Sequence, residues 1–293
     1  MSTPPSLALP AHARALSIST RRGDLAAIRI DPVAEPRGVI VLIPGFTGSK
    51  EDFLPILEPL AQFGWSVVSY DQRGQFESRG PEDESAYTLA ALATELHEVI
   101  AAISTEPVHV IGHSFGGLVA REAALNDGPE DFASLILLCS GAGPLPPSHH
   151  DSLGALRAAL PQVPLEMVWE VKDAADREGG WVPPNDEIAE FMRRRFIANN
   201  AYALRAKATT LMETPDRTSE LASLARAGLS VAVMHGADDD AWPLAEQDLM
   251  AKELGTNVVV IPNTAHSPAV EAPASTAAAI NLLLSGVKSA HRG

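Results

Sequence analysis

Cysteine is almost missing from this chain. Among 293 residues only Cys139 is present, so no intrachain disulfide can form. A fold without crosslinks must rest on its own core, and 46% hydrophobic residues over this length supply one large domain, or a large domain with an insertion. Positive charge is also short: Lys and Arg number 22 against 37 Asp and Glu, a formal net charge of −15. A field of that sign repels phosphate backbones and anionic lipid, which argues against nucleic acid as a partner and against stable membrane association. Long apolar runs are absent, and none approaches the roughly 18–20 residues of a membrane span. The first ten residues lack the charged and apolar regions of a signal peptide. A soluble, cytoplasmic protein is the expectation. Cys139 falls in the apolar run Leu135–Cys139, where a thiol packs rather than reacts. No Cys, His and carboxylate spacing marks a metal site, and nothing calls for a cofactor.

What is present centres on Val108-His109-Val110-Ile111-Gly112-His113-Ser114-Phe115-Gly116-Gly117. An apolar, β-branched run reads as a buried strand, and a helical pattern opens at the serine. The join is Gly112-x-Ser114-x-Gly116, a pattern that serves as a nucleophile elbow. A strand turning straight into a helix strains the serine backbone by about 1–3 kcal/mol and holds its Oγ exposed. Glycines two positions either side remove Cβ atoms that would clash. The helix N-terminus behind it offers free N–H groups to a developing oxyanion.

Around this stretch strands and helices alternate. Strand patterns fall at Ala15–Thr20, Leu25–Asp31, Gly38–Ile43, Trp65–Tyr70, Ser134–Cys139, Leu229–Met234 and Val258–Ile261, besides the one before Ser114. The first two form a hairpin about Arg21-Arg22-Gly23-Asp24, and the alternation implies a mostly parallel sheet with helices on both faces. Met1–Arg14 is rich in Pro and Ala and is expected to be loose. Glu51–Phe63 is expected to be a helix bent or broken by Pro55 and Pro59, and Glu84–Thr105 one long helix with Thr88 and Glu95 on its outer or small-residue side. From Ser148 to about Ala227 only helical patterns occur, so residues 144–227 are expected to be a helical cap inserted between two core segments, 1–143 and 228–293. Arg193-Arg194-Arg195 on one of those helices reads as a solvated face or as a carboxylate-binding lid.

A serine needs a base, and the base needs an orienting group. Two later strands end in suitable residues: His235-Gly236-Ala237-Asp238-Asp239-Asp240-Ala241-Trp242-Pro243, and Pro262-Asn263-Thr264-Ala265-His266-Ser267-Pro268. With Pro44-Gly45-Phe46, Asp71-Gln72-Arg73-Gly74 and Glu271-Ala272-Pro273, these motifs resemble the α/β-hydrolase fold superfamily with a helical cap, over about residues 28–284. The resemblance implies an eight-stranded sheet and a serine hydrolase with Ser114 as nucleophile and His266 as base. Among the three aspartates it selects Asp239, three after a glycine and four before a proline. It also implies that the N–H groups of Phe46 and Phe115 receive the oxyanion. In the loop Asp71–Ser78 the chain departs from the common family form, because Phe76 and Glu77 stand where a second glycine precedes the serine. Phe76 either walls a pocket or packs within its loop. His113 is read as a packing or hydrogen-bonding residue that points away from the serine, His235 as buried, and His149 and His150 as linker residues.

The expected activity is cleavage of a small or medium apolar acyl ester, or a related thioester, amide or C–C bond, through an acyl-enzyme, by a monomer or homodimer. The alternative is a ligand-binding receptor or scaffold that keeps the triad but turns over slowly. Fold alone does not separate these.

Overall fold

A computed structural model describes residues 2–287. Eight strands form one sheet: β1 (Arg14–Thr20), β2 (Gly23–Ile30), β3 (Val39–Ile43), β4 (Ser66–Tyr70), β5 (Val108–His113), β6 (Phe132–Leu138), β7 (Val231–Gly236) and β8 (Val258–Ile261). Their spatial order is β1-β2-β4-β3-β5-β6-β7-β8. β2 meets β1 and β4 antiparallel, and every other neighbouring pair is parallel.

Helices α1 (Leu54–Gln62), α2 (Leu89–Ile103) and α3 (Phe115–Asn126) make the crossovers among β3 to β6. Between β6 and β7 the chain is helical, with α4 (His150–Ala159), α5 (Leu165–Glu178), α6 (Asp186–Ile197), α7 (Ala201–Glu213) and α8 (Thr218–Arg226). The core resumes with α9 (Leu244–Glu253), then the short α10 (Pro268–Glu271) and α11 (Pro273–Ser285) after β8. Among the described residues no helix is long and apolar enough to cross a membrane.

Strand side chains alternate between faces, and both faces are covered. Val41 and Ile43 of β3 join Leu96 of α2 and Ala120 of α3 on one side. Ile40 and Leu42 join Leu57 of α1 and Ile280 of α11 on the other. Helix α8 returns to the first face through Leu221 and Ala222. Helices α5 to α7 share a separate cluster built on Trp169, Ile188, Phe191, Phe196 and Leu204. The parallel register pairs Ile43 with Gly112, His113 with Leu138, Leu138 with Met234, and Gly236 with Ile261. The C-terminal ends of β3, β5, β6, β7 and β8 therefore share one rim, and the loops that follow them meet there.

Several local expectations change. The N-terminal stretch is not loose, because Ser2 and Pro4 are buried and Leu7 packs on the helical cluster. The helix expected over Glu51–Phe63 does divide, into a 3-10 turn at Lys50–Phe53 and α1, but at Leu54 rather than at Pro59. Helix α1 runs unbroken past Pro59, held by Ile56, Leu57 and Leu60, all fully buried, and Pro55 sits in its first turn, where no N–H is needed. The expected long helix over Glu84–Thr105 splits. Glu84–Tyr87 is a 3-10 turn, and the Thr88 hydroxyl accepts from the Ala91 N–H to start α2. Glu95 faces inward, because Arg73, carried by the loop after β4, donates from Nε to its carboxylate over 2.7 Å. Arg195 is fully buried against Asp52, while Arg193 and Arg194 stay exposed, so the basic run is a solvated face only in part.

Candidate active site

Ser114 leaves β5 and opens α3 with φ +54° and ψ −120°. The left-handed φ costs a non-glycine residue about 1–3 kcal/mol, and the elbow is over-determined by its neighbours. The Ser114 N–H donates to the Leu138 carbonyl at 2.9 Å, and its own carbonyl accepts from the Gly117 N–H at 2.9 Å. A Cβ on Gly112 would overlap the Gly116 carbonyl, and one on Gly116 would overlap the Ile43 carbonyl. Only glycine lets β5, α3 and the end of β3 approach this closely.

Asp239 and His266 follow β7 and β8. His266 Nδ1 lies 2.7 Å from Asp239 Oδ1. Of the three consecutive aspartates, only Asp239 is buried; Asp238 and Asp240 are exposed. Burial alone would raise the Asp239 carboxyl, but hydrogen bonds from His266, Gln247 and the Ala241 N–H outweigh it and hold the group below its usual value. Gln247 Nε2 donates to the second oxygen at 3.0 Å. The loop around His266 is held by Glu271, whose carboxylate accepts from the Ala265 and Ser267 N–H groups. Gln247 stands on α9 with no motif to mark it. Glu271 lay within a quoted motif, but its clamp on the loop was not legible from sequence.

His113 is a hydrogen-bonding residue, as expected, and its partner belongs to the His266 loop. Its ring lies 5.0 Å from that of His266, and its Nε2 meets the His266 carbonyl at 2.7 Å. Burial and the neighbouring His266 push its pKa down to about 3, so it is neutral at ordinary pH and Nε2 donates. His113, Cys139 and His266 each bring a donor atom within 4.8 Å of the others. The His113 Nε2 and the His266 Nδ1 are already committed to internal hydrogen bonds, and burial raises the Cys139 thiol well above its ordinary value, so the cluster fits a protein-internal network better than an ion.

After β3, Phe46 borders the same space. Gln75 Nε2 donates to the Gly45 carbonyl at 2.6 Å, and Gln72 Nε2 donates to the Pro44 carbonyl at 2.8 Å. These bonds fix the peptide planes of the loop. Among the described residues the N–H groups of Phe46 and Phe115 have no hydrogen-bond partner. One cavity of about 280 Å³ is lined by Ser114 and His266, together with Phe46, Leu145, Leu153 and Leu211. His149, expected in a linker loop, also lines it, with Nε2 3.2 Å from the Asp240 carbonyl; His150 begins α4 instead. His235 is buried with Nδ1 2.8 Å from the Gly236 carbonyl. Phe76 does not border the cavity: it packs edge-on against Phe191 at 5.7 Å.

A sequence model described as the alpha/beta hydrolase family matches residues 40–279, which include the elbow, Asp239 and His266. The chain belongs to the alpha/beta hydrolase family. Among curated proteins this alpha/beta hydrolase is similar to RutD of Variovorax paradoxus (strain S110), named as a candidate carbamate hydrolase, with 35% identity over 105 residues, 36% of this chain and 39% of that protein. RutD of Escherichia coli O44:H18 (strain 042 / EAEC), which carries the same name, is 41% identical over 105 residues, 36% of this chain and 37% of its own length. The matched stretch thus spans less than two fifths of either relative. Among solved structures, a hydrolase from Pseudomonas aeruginosa PA01 aligns with a TM-score of 0.73 at 24% identity, covering 92% of this chain and 98% of that one. A thermophilic esterase from Thermogutta terrifontis, with malate bound, aligns with a TM-score of 0.73 at 23% identity, covering 94% and 99%. At these identities the likeness is one of fold.

Proposed function

We propose that this alpha/beta hydrolase cleaves a small or medium acyl ester, or a related acyl bond, through an acyl-enzyme on Ser114. The observation that carries the reading is the His266–Asp239 pair at 2.7 Å, with His266 and the strained Ser114 lining one cavity. With Nδ1 donating to Asp239, His266 keeps Nε2 as acceptor. Ser114 Oγ attacks the carbonyl carbon as its proton passes to Nε2. The developing oxyanion is received by the N–H groups of Phe46 and Phe115 and favoured by the α3 N-terminus. His266 then protonates the leaving group, and water repeats the cycle to release the acid. Four of the five helices between β6 and β7, α4 to α7, act as the cap over this chemistry, with Leu153 of α4 and Leu211 of α7 forming an apolar wall.

The test is labelling with a fluorophosphonate and turnover of p-nitrophenyl acetate and butyrate, with an aryl carbamate as a further arm suggested by the RutD names. Covalent label on Ser114 with turnover, both lost in Ser114→Ala, supports the reading. Label with negligible turnover of any arm favours the receptor alternative, and no label at Ser114 rejects a nucleophilic serine.

A further inference from the structure

The proposed chemistry makes no use of the N-terminal arm, yet Ser2 of that arm faces the cavity. Ser2 is buried and lines the same space as Ser114 and His266. Its Oγ lies 2.8 Å from the Oγ of Ser267, the residue after His266. Its carbonyl accepts from Arg195 Nη2 at 2.7 Å. Arg195 comes from α6, and its Nη1 pairs with Asp52, which also borders the cavity. Further along, Pro4 is buried and Leu7 packs in the helical cluster beside Phe46. The arm is therefore held from the helical segment, from the core and from the His266 loop.

Arg195 explains why the arm sits where it does. A fully buried guanidinium is costly unless its charge is matched and its N–H groups are accepted. Arg195 already has its Nε without a partner among the described residues, so the acceptors of its other two nitrogens matter more. Asp52 matches the charge, and the Ser2 carbonyl takes Nη2. Without the arm that nitrogen would keep only Met192 Sδ, at 3.1 Å, among the described residues. The bond is charge-assisted, so the arm is a built wall rather than a tail resting on the surface. The lining also falls into two contiguous groups. Leu145, Leu153 and Leu211 belong to one apolar cluster. Ser2, Gly48 and Asp52 form a polar end, joined through Arg195 and through the contact of Gly48 with Asp52.

We propose that Ser2, pinned by Arg195, is a wall of the substrate cavity and limits the length of the ester it accepts. The inference rests on the acyl-hydrolase reading above. Ser2 is a specificity-determining residue in this scheme, and Arg195 and Asp52 are positioning residues that act through it.

The experiment compares kcat/KM for p-nitrophenyl acetate, butyrate and octanoate in the wild type, in a variant lacking residues 2–8, and in Ser2→Trp. Removing the arm opens the polar end, so the octanoate-to-acetate ratio rises by about tenfold or more, the scale of one methylene admitted to or refused by a pocket. The gain comes mainly through KM. Ser2→Trp moves the wall inward, so the butyrate-to-acetate ratio falls by about tenfold. Unchanged ratios in a folded deletion variant overturn the proposal. If that variant does not fold, Ser2→Trp decides alone, and an unchanged ratio there overturns it equally. Fluorophosphonate labelling separates the two levels. A wild type that labels on Ser114 and turns over, with ratios unmoved in the variants, loses only the arm. A wild type that neither labels nor hydrolyses any ester loses the hydrolase reading and the arm's role with it.

Discussion

The side-chain amide of Gln75 donates to the carbonyl of Gly45 over 2.6 Å, and that bond orients a peptide whose other end is the Phe46 N–H. In a trans peptide the C=O and N–H point in opposite directions. Anchoring one therefore aims the other, and Gln72 holds the preceding carbonyl in the same way. Gln75→Leu loosens the plane and leaves the Gly45 oxygen only the longer bond from the Gly48 N–H at 3.3 Å. Loss of a whole oxyanion donor costs about 10²–10³ in kcat, and misaiming one should cost less, about 10- to 100-fold. KM for a short ester should move far less. Steady-state kinetics check this; a KM change with kcat intact would mean that Gln75 shapes binding rather than the transition state.

The roles proposed for Ser114, His266 and Asp239 are separable by substitution. Ser114→Ala and His266→Ala should each lower kcat by about 10⁴–10⁶ with the fold intact. Asp239→Asn removes the acceptor that sets the His266 tautomer and should cost about 10⁴. Asp238 is exposed and meets no part of the pair, so Asp238→Asn should stay within about twofold. Normal turnover in Asp239→Asn together with loss in Asp238→Asn would reverse the assignment. Circular dichroism of each variant separates lost chemistry from lost fold.

Close approach at the elbow predicts a stability contrast between two glycines. A Cβ on Gly116 would collide with the Ile43 carbonyl, which is backbone and cannot swing aside. On Gly143 the nearest atom to an added Cβ is the Asp216 nitrogen at 3.5 Å, an ordinary contact. Gly116→Ala should therefore destabilise the protein by about 1–3 kcal/mol or more, while Gly143→Ala should change little. Thermal unfolding of the two variants side by side reads the difference directly. Equal melting temperatures would show that β3 can shift away from α3 at no cost.

Legibility followed sequence distance and residue type. Both sheet faces are buried, so the strands read as continuous apolar runs and could be placed. Ser114 stood out because its strain needs glycines at fixed spacing. His266 and the aspartate run stood out because they follow strands, and the family resemblance selected Asp239 from that run. Gln75, Gln247 and Glu271 were not assigned roles, since a side-chain amide or carboxylate gripping a distant peptide leaves no periodic trace. The same holds for Arg195, whose partner Asp52 lies far away along the chain, so a buried ion pair was indistinguishable from a solvated basic run. The arm was misjudged for a related reason: Pro and Ala carry no periodicity, and its tethers come from Ser267 and Arg195. The break at Thr88 was missed because helix propensity continues on both sides and only the cap interrupts it.

A buried histidine away from the site makes the fold sensitive to acid. His109 on β5 has Nδ1 2.8 Å from Ser134 Oγ, and its ring meets Trp65 edge-on at 5.0 Å. Burial, with the Arg37 charge adding to it, pushes its pKa down from 6.5 to about 4. Between those values an unfolded chain binds a proton that the folded one refuses. The contribution is thus complete above about pH 6.5 and is lost progressively as the pH falls from there toward about 4, the loss amounting to about 2–3 kcal/mol by pH 4.5. His113, held even lower, steepens the same slope from beside the site. In His109→Gln the single proton is removed from the balance. Urea unfolding at pH 7.5 and 4.5 should show the wild type losing about 2–3 kcal/mol more than the variant over that interval. Parallel losses in the two proteins would mean that His109 takes up its proton in the folded state, and that the strand tolerates a charge at its buried face.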